Sequence, residues 1–281
     1  SVLVTGRDII FFWVARMIFT SLEFMKEIPF KDVFIHGLVL DGQGRKMSKS
    51  LGNGVDPLEV IEKYGADSLR FMLITGNTPG NDIRFQFDRL ESSSNFANKI
   101  WNASRFVLMN LEDYAEQETS QLELADKWII SRFNTVAAEV NENIDKYELG
   151  EAGRKIYEFI WNEFCDWYIE IAKISLYDKD NIVKRQKTQK VLRDILQGAM
   201  ELLHPVMPFI TEEIWQHLPG TEGTIMKTQY PLGNVEKKDK DAEGKMNLLM
   251  DIVRGIRNIR SEMGVPPSKK ATALFFVEDK S

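Results

Sequence analysis

The chain has 281 residues, 43% hydrophobic, 28% charged and 11% aromatic, with a formal net charge of −6. Seventeen Phe and six Trp can build packed cores, which excludes a disordered chain. No uncharged apolar run reaches the ~18 residues of a membrane span. The single Cys165 excludes an internal disulfide framework and a cysteine-cluster zinc site, which points to a reducing cytoplasm. The acidic balance leaves any nucleic-acid binding to local basic patches.

Ser1-Val2-Leu3-Val4-Thr5 reads as a buried strand that starts at the first residue, which suggests a segment of something longer. Gly6 is a turn, and Arg7 to Glu27 an apolar helix whose Arg7, Asp8 and Arg16 fit no signal peptide. Asp32 to Ile35 is a second strand, so strand, helix and strand predict a parallel βαβ unit. Leu38 to Arg45 reads as a hairpin about Asp41-Gly42-Gln43-Gly44. After Lys46-Met47-Ser48-Lys49-Ser50 and a glycine-rich exit, Asp56-Pro57-Leu58-Glu59 is a strong helix start, with an N-cap, a proline at the first helical position and a capping-box Glu.

From Asp88 onward the strand signal disappears. Apolar residues at three- and four-residue spacing predict helices over 89–111, 125–146, 151–177, 181–203, 210–218 and 245–263. Two polar stretches, 113–123 and 219–243, separate them, and Ala271 to Val277 reads as a last strand. The predicted class is α/β followed by all-α. Trp128, Phe133, Tyr157, Trp161, Phe164, Trp167, Tyr168 and Trp215 sit at core spacing and are expected to pack rather than bind.

Lys46-Met47-Ser48-Lys49-Ser50 carries the sharpest chemical signal. A specified pentapeptide arises by chance at about 10^-4 per chain of this length, so an ordinary exposed lysine loop is the weaker explanation. Two lysines separated by two small residues reach one polyphosphate, and Gly42, Gly44, Gly52 and Gly54 let the loop bend. Mobile ammonium groups that meet charge as it builds on a departing pyrophosphate raise turnover more than ground-state binding.

That string resembles the signature loop of the class I aminoacyl-tRNA synthetases. The surrounding residues 5–17 and 44–57 are similar to the bacterial valyl branch, as are Tyr64-Gly65-Ala66-Asp67, residues 98–102 and 164–170, and Val265-Pro266-Pro267-Ser268-Lys269-Lys270. The resemblance implies the C-terminal half of a Rossmann catalytic domain plus an anticodon-binding helical bundle. The implied divisions are 1–80 for the catalytic part, 81–124 for a linker with the first bundle helix, 125–235 for the bundle and 236–281 for a C-terminal helix with a short truncated segment. The family's His-x-Gly-His site, editing domain and terminal coiled coil have no counterpart here. The expectation is therefore a fragment, inactive alone, of an enzyme that activates L-valine with ATP and transfers it to tRNA(Val). An isoleucyl or leucyl enzyme, or a stand-alone tRNA-binding module, are the alternatives.

Residue by residue, the resemblance implies that Lys46, Met47, Ser48 and Lys49 contact ATP, with Lys46 and Lys49 catalytic. It adds Gly6, Asp8, His36, Gly37 and Leu38 to the ATP site, Gly37 as the place where backbone approaches an adenine ring. Asp8 is either a ribose or amine ligand or a plain helix-cap carboxylate, and His36 either a ligand or a satisfied polar group. Ile9 and Trp13 would wall the valine side chain; without the resemblance they read as core. Such an apolar pocket would gain only ~1–3 kcal/mol from one methylene and would not strongly reject threonine. Arg84, Arg105 and Phe106 are the candidate tRNA contacts, each pairing cation with ring or phosphate. The basic stretches 184–193 and 254–260 are either solvated faces or further contacts. Mg2+ is implied only as the companion of ATP, with no protein-bound metal and no membrane. The parent is expected to be a monomer, while an isolated half-sheet favours self-association.

Overall fold

A computed structural model describes residues 1–76, 78–115, 122–178, 180–266 and 268–274. Val2–Gly6 (β1) and Asp32–His36 (β2) are β-branched runs that pair in parallel, Val2 opposite Asp32 and Gly6 opposite His36. The segment between them is helical but not uniform. Tight 3-10 geometry at Arg7–Ile9 passes into wide π turns at Ile10–Val14 and Ser21–Met25, around α1 (Ala15–Thr20). The strand expected to be buried is half open, since Val2 and Val4 are 45% and 61% exposed. β1 pairs only with β2 among the described strands, and the helical segment exposes Phe11, Phe19 and Phe24 rather than an apolar core face.

The hairpin expected at 38–45 is present as a tight turn with a single antiparallel bridge. Asp41 and Arg45 close the turn, the Asp41 amide donating to the Arg45 carbonyl at 2.9 Å, and the bridge joins Leu40 to Lys46. The ladder partner of Val39–Leu40 (β3), however, is Ile83–Arg84 (β4), in parallel. The returning leg leaves the sheet because it becomes the Lys46–Ser50 loop. That loop closes in a 3-10 turn at Lys49–Leu51 and leads to α2 (Pro57–Tyr64), where the Asp56 carboxylate accepts from the Leu58 amide at 2.8 Å, and α3 (Ala66–Thr75). A small core of Val60, Met72, Phe85 and Leu90, with Met47 and Val55 packed on it, supports the loop from below.

The rest is helical: α4 (Phe87–Met109), α5 (Leu124–Asp145), α6 (Leu149–Glu158), α7 (Ile169–Leu176), α8 (Ile182–Leu203), α9 (Pro208–His217) and α10 (Lys240–Glu262). The single helix expected over 151–177 is interrupted by π geometry at Phe159–Tyr168, which buries Phe159, Ile160, Phe164, Cys165 and Tyr168. The break expected up to Glu243 ends earlier. Asp239 caps α10 by accepting from the Ala242 amide at 2.9 Å, and Asp241 and Glu243 favour its positive end. Of the strand expected over 271–277, residues 271–274 carry no strand and 275–277 lie outside the described residues.

Trp128, Phe164, Tyr168 and Trp215 are buried in the bundle core, with Phe133, Tyr157, Trp161 and Trp167 packed at its edge, so the aromatics serve packing as expected. Burial pushes the Cys165 thiol up to about 12. Lys99 lies 3.8 Å over the Trp161 ring and 2.6 Å from Asp166, tying α4 to the π segment. Asp67 fastens the α/β part to the bundle, its carboxylate accepting from the Phe209 and Ile210 amides at 3.2 and 2.7 Å where α9 begins.

Buried Asp126 completes a capping box with Glu123 and accepts from the Tyr168 hydroxyl at 2.6 Å. Burial holds its carboxyl above the ordinary 3.8, and the Tyr168 hydroxyl and Glu123 amide offset part of that. A carboxyl with a raised folded value stabilises most at low pH, and its contribution falls as pH rises through that value. Tyr168→Phe removes the donor from the ionised form and is expected to cost roughly 2 kcal/mol at pH 7. The cost should be smaller below pH 4, since the raised carboxyl gains protons as pH falls and a bond to its charged form then counts for less. Urea unfolding at the two pH values checks this, and equal losses at both would contradict it.

Candidate functional site

The C-terminal ends of parallel strands are where open α/β sheets bind ligands, and four of the expected residues meet there. Gly6 ends β1, and a Cβ on it would stand 2.8 Å from Asp8 Oδ1 and 3.5 Å from the His36 ring. Asp8 Oδ2 faces Lys46 Nζ at 3.5 Å, with both side chains well exposed. His36 Nδ1 donates to the Gly37 carbonyl at 2.9 Å, since a carbonyl only accepts, which leaves Nε2 as the ring's acceptor when neutral. Gly6, Asp8, His36 and Lys46 therefore surround one patch of surface with an anion, a cation and an imidazole.

The Lys46–Ser50 loop rises beside that patch. Lys46, Lys49 and Ser50 are exposed, while Met47 turns into the small core and leaves only its backbone for a ligand. Ser48 Oγ accepts from the Leu51 amide at 3.3 Å and lies 3.2 Å from Ser50 Oγ. Two residues not singled out from sequence hold the loop. Asp41 accepts from the Gln43 and Arg45 amides and the Arg45 guanidinium, and Asn53 connects Asp41 to the loop backbone. The only sequence signal was Asp41 opening an Asp-Gly turn. The pairing of Arg7 with Asp82 has no signal in the sequence. They pair at 2.6 Å, and the Leu38 amide, then Arg7, hold the Asp82 carboxyl below its usual range.

Gly37 and Leu38 both lie against the chain's own residues 81–83. The space left by the missing Gly37 Cβ is filled by the Asn81–Asp82 backbone, 1.7 Å away at the Asn81 oxygen, so that face is closed to an adenine ring. Leu38 spends its amide on Asp82 and its carbonyl on the Ile83 amide, both at 2.8 Å. Ile9 and Trp13 are 42% and 57% exposed, so within this chain neither is part of a packed core.

A sequence profile for the anticodon-binding domain of tRNA ligase matches residues 126–275, more than half of the chain, and one for tRNA synthetases class I (I, L, M and V) matches residues 1–86. The chain belongs to this anticodon-binding family of tRNA ligases. It is 59% identical to the valine–tRNA ligase of Carboxydothermus hydrogenoformans over all of its length, and 57% identical to that of Clostridium tetani over 99%. It spans about a third of those relatives, 32% in each case. Among solved structures, it superposes with TM-score 0.68 on the agnB2 LeuRS of Agrobacterium radiobacter K84, solved in a ternary complex with tRNA and LeuAMS, at 21% identity over 85% of this chain and 29% of that one. The Mycobacterium tuberculosis methionyl-tRNA synthetase, solved with methionyl-adenylate, gives 0.66 at 22% identity over 76% of this chain and 43% of that one. At that identity both speak for the fold alone, a class I α/β piece followed by the helical bundle.

In this tRNA ligase chain the three RNA candidates do not form one surface. Arg84 lies against the Gly44 turn beside the loop, its Nε 3.1 Å from where a Cβ would be. Arg105 and Phe106 sit near the far end of α4, roughly 27 Å from its start at 1.5 Å per residue. Arg105 is exposed, but Phe106 packs on the core with Lys173 Nζ 5.4 Å from its ring, so it is no open stacking platform. Within the basic stretches, Arg185 pairs with Asp113, Lys190 and Arg193 with Asp194, and Arg254 with Asp251, while Arg254 and Arg257 both lie over Trp167. Much of that charge is already neutralised within the fold.

Proposed function

We propose that the chain is the part of a valine–tRNA ligase that supplies the phosphate loop of the adenylation site and the anticodon-binding bundle for tRNA(Val). The observation that carries this is the exposed Lys46–Ser50 loop standing beside Gly6, Asp8 and His36 at the strand ends. Identity of 55–59% to valine–tRNA ligases along the whole chain supports the choice of amino acid.

In the reaction proposed, a valine carboxylate oxygen bonds to the α-phosphorus of ATP as the bond from that phosphorus to the β-phosphate oxygen breaks, giving valyl-adenylate and pyrophosphate. Lys46 and Lys49 neutralise the charge that collects on the pyrophosphate, and Ser48 offers a hydroxyl to the same phosphates. Asp8 is placed to accept from ribose hydroxyls or from the valine ammonium. Ile9 and Trp13 present apolar surface that would close a valine pocket against further chain. Mg2+ would arrive on the ATP phosphates, and none of the chain's carboxylates is assigned to it. The apolar face of Phe11, Phe12, Phe19 and Phe24 is where the remaining two-thirds of a full-length ligase would pack, and in the isolated chain it would favour self-association.

The test is ATP–pyrophosphate exchange by the full-length ligase containing this sequence. Exchange stimulated by valine well above isoleucine and leucine is expected; stimulation by isoleucine or leucine instead would overturn the choice of amino acid. The 281-residue chain alone is expected to bind tRNA(Val) weakly, with a salt-dependent affinity, and to aminoacylate nothing.

A further inference from the structure

We propose that Asn53, held by Asp41, is a positioning residue that fixes the resting frame of the Lys46–Ser50 loop. The proposal rests on the adenylation reading above. One side-chain amide joins three parts of the chain. Asn53 Nδ2 donates to Asp41 Oδ2 at 2.8 Å and lies 3.3 Å from the Lys46 carbonyl, and Asn53 Oδ1 accepts from the Ser48 amide at 3.0 Å. It therefore grips the backbone of the lysine string at its first residue and again two residues on.

Asp41 is suited to hold that amide. It is 7% exposed and already fixed in its own turn, Oδ1 accepting from the Gln43 and Arg45 amides at 3.0 and 2.8 Å and Oδ2 from the Arg45 guanidinium at 2.8 Å. The Asn53 amide and the Arg45 backbone contact lead the donors that keep its carboxyl far below the usual carboxylate range, so it stays an acceptor at any physiological pH. Above this anchored frame the Lys46 and Lys49 side chains are exposed, Lys46 facing Asp8 at 3.5 Å. A loop whose backbone is held while its ammonium tips move can deliver charge to a departing pyrophosphate from a repeatable starting point.

An amide is the side chain this position requires. Aspartate at 53 keeps an acceptor for Ser48 but sets a second carboxylate against Asp41, and alanine keeps neither contact. In the full-length ligase, Asn53→Asp and Asn53→Ala are expected to lower kcat for valine-dependent ATP–pyrophosphate exchange by about 10- to 100-fold, with KM for valine unchanged. The exchanged pair Asp41→Asn with Asn53→Asp, which restores one donor facing one carboxylate, should recover much of the rate lost in Asn53→Asp. In the 281-residue chain, hydrogen exchange at the Ser48 amide should quicken in Asn53→Ala while the bundle amides stay protected. An Asn53→Asp enzyme at wild-type kcat, a restored pair no faster than Asn53→Asp, or unchanged Ser48 exchange would each overturn the positioning role. A wild-type ligase without valine-dependent exchange would instead overturn the adenylation reading.

Discussion

Replacing Lys49 with alanine in the full-length ligase is expected to slow valine-dependent ATP–pyrophosphate exchange by about 10^2- to 10^3-fold, the usual consequence of removing one preorganised donor from a developing negative charge. The KM for valine should stay near its wild-type value, because an interaction made only as pyrophosphate departs lowers kcat and not ground-state binding. Lys49 is the stronger choice of the two lysines on geometry. Lys46 already faces Asp8 at 3.5 Å, whereas Lys49 has no carboxylate within ion-pair distance among the described residues. The side chain is exposed in its 3-10 turn, so the substitution should change folding stability by no more than about 0.5 kcal/mol. Steady-state exchange kinetics with a parallel thermal melt separate the two effects. A rise in valine KM with kcat intact would reassign Lys49 to substrate binding.

Gly37→Ala is expected to cost about 3 kcal/mol of folding stability, at the upper end of overpacking. The added Cβ would stand 1.7 Å from the Asn81 oxygen, 2.3 Å from the Asn81 carbonyl carbon and 2.8 Å from the Asp82 nitrogen. All three are backbone atoms, so no change of rotamer relieves the clash. The segment 81–82 would have to move away, breaking the Leu38 bonds to Asp82 and Ile83 and parting β4 from β3. The Lys46–Ser50 loop begins six residues after β3 ends, so the damage should reach it. Urea unfolding of the 281-residue chain measures the loss. Gly54→Ala, with nothing within 4 Å of its added Cβ, is the control and should be near neutral. A Gly37→Ala midpoint equal to that of Gly54→Ala would contradict the close-approach role.

Most of the helical half was legible in sequence because its pattern is periodic. The apolar spacing of α4, α5 and α8 placed each to within a residue or two, and the bundle aromatics fell in the core or at its edge. The misses are places where tertiary context overrides local pattern. The hairpin reading of 38–45 has its turn and one bridge, yet β3 pairs with a strand more than forty residues later, which no local window contains. The charge run 236–241 reads as a continuing break, but Asp239 caps a helix that begins at Lys240 within it.

The site divides along the same line. The lysine string stood out because five specified residues are rare in any chain. The sequence marks Asp41 only as a turn residue, and the Asp41–Asn53 and Arg7–Asp82 pairings join ordinary residues that only folding brings together. Gly37 is expected beside a ligand, and in the fold its missing side chain also makes room for the Asn81–Asp82 backbone. Phe106 shows the reverse case: an arginine–aromatic pair on a helix reads as an RNA contact, and in the fold the ring is partly buried against the core.

The most direct test is single-turnover formation of valyl-adenylate by the full-length ligase carrying Lys46→Gln and Lys49→Gln together, which keeps side-chain length and removes both charges. Adenylate formation slowed by at least the ~10^2-fold expected of one lost donor, with valine binding retained, is the predicted result. Adenylate formed at the wild-type rate would contradict the assignment of the Lys46–Ser50 loop to the chemistry.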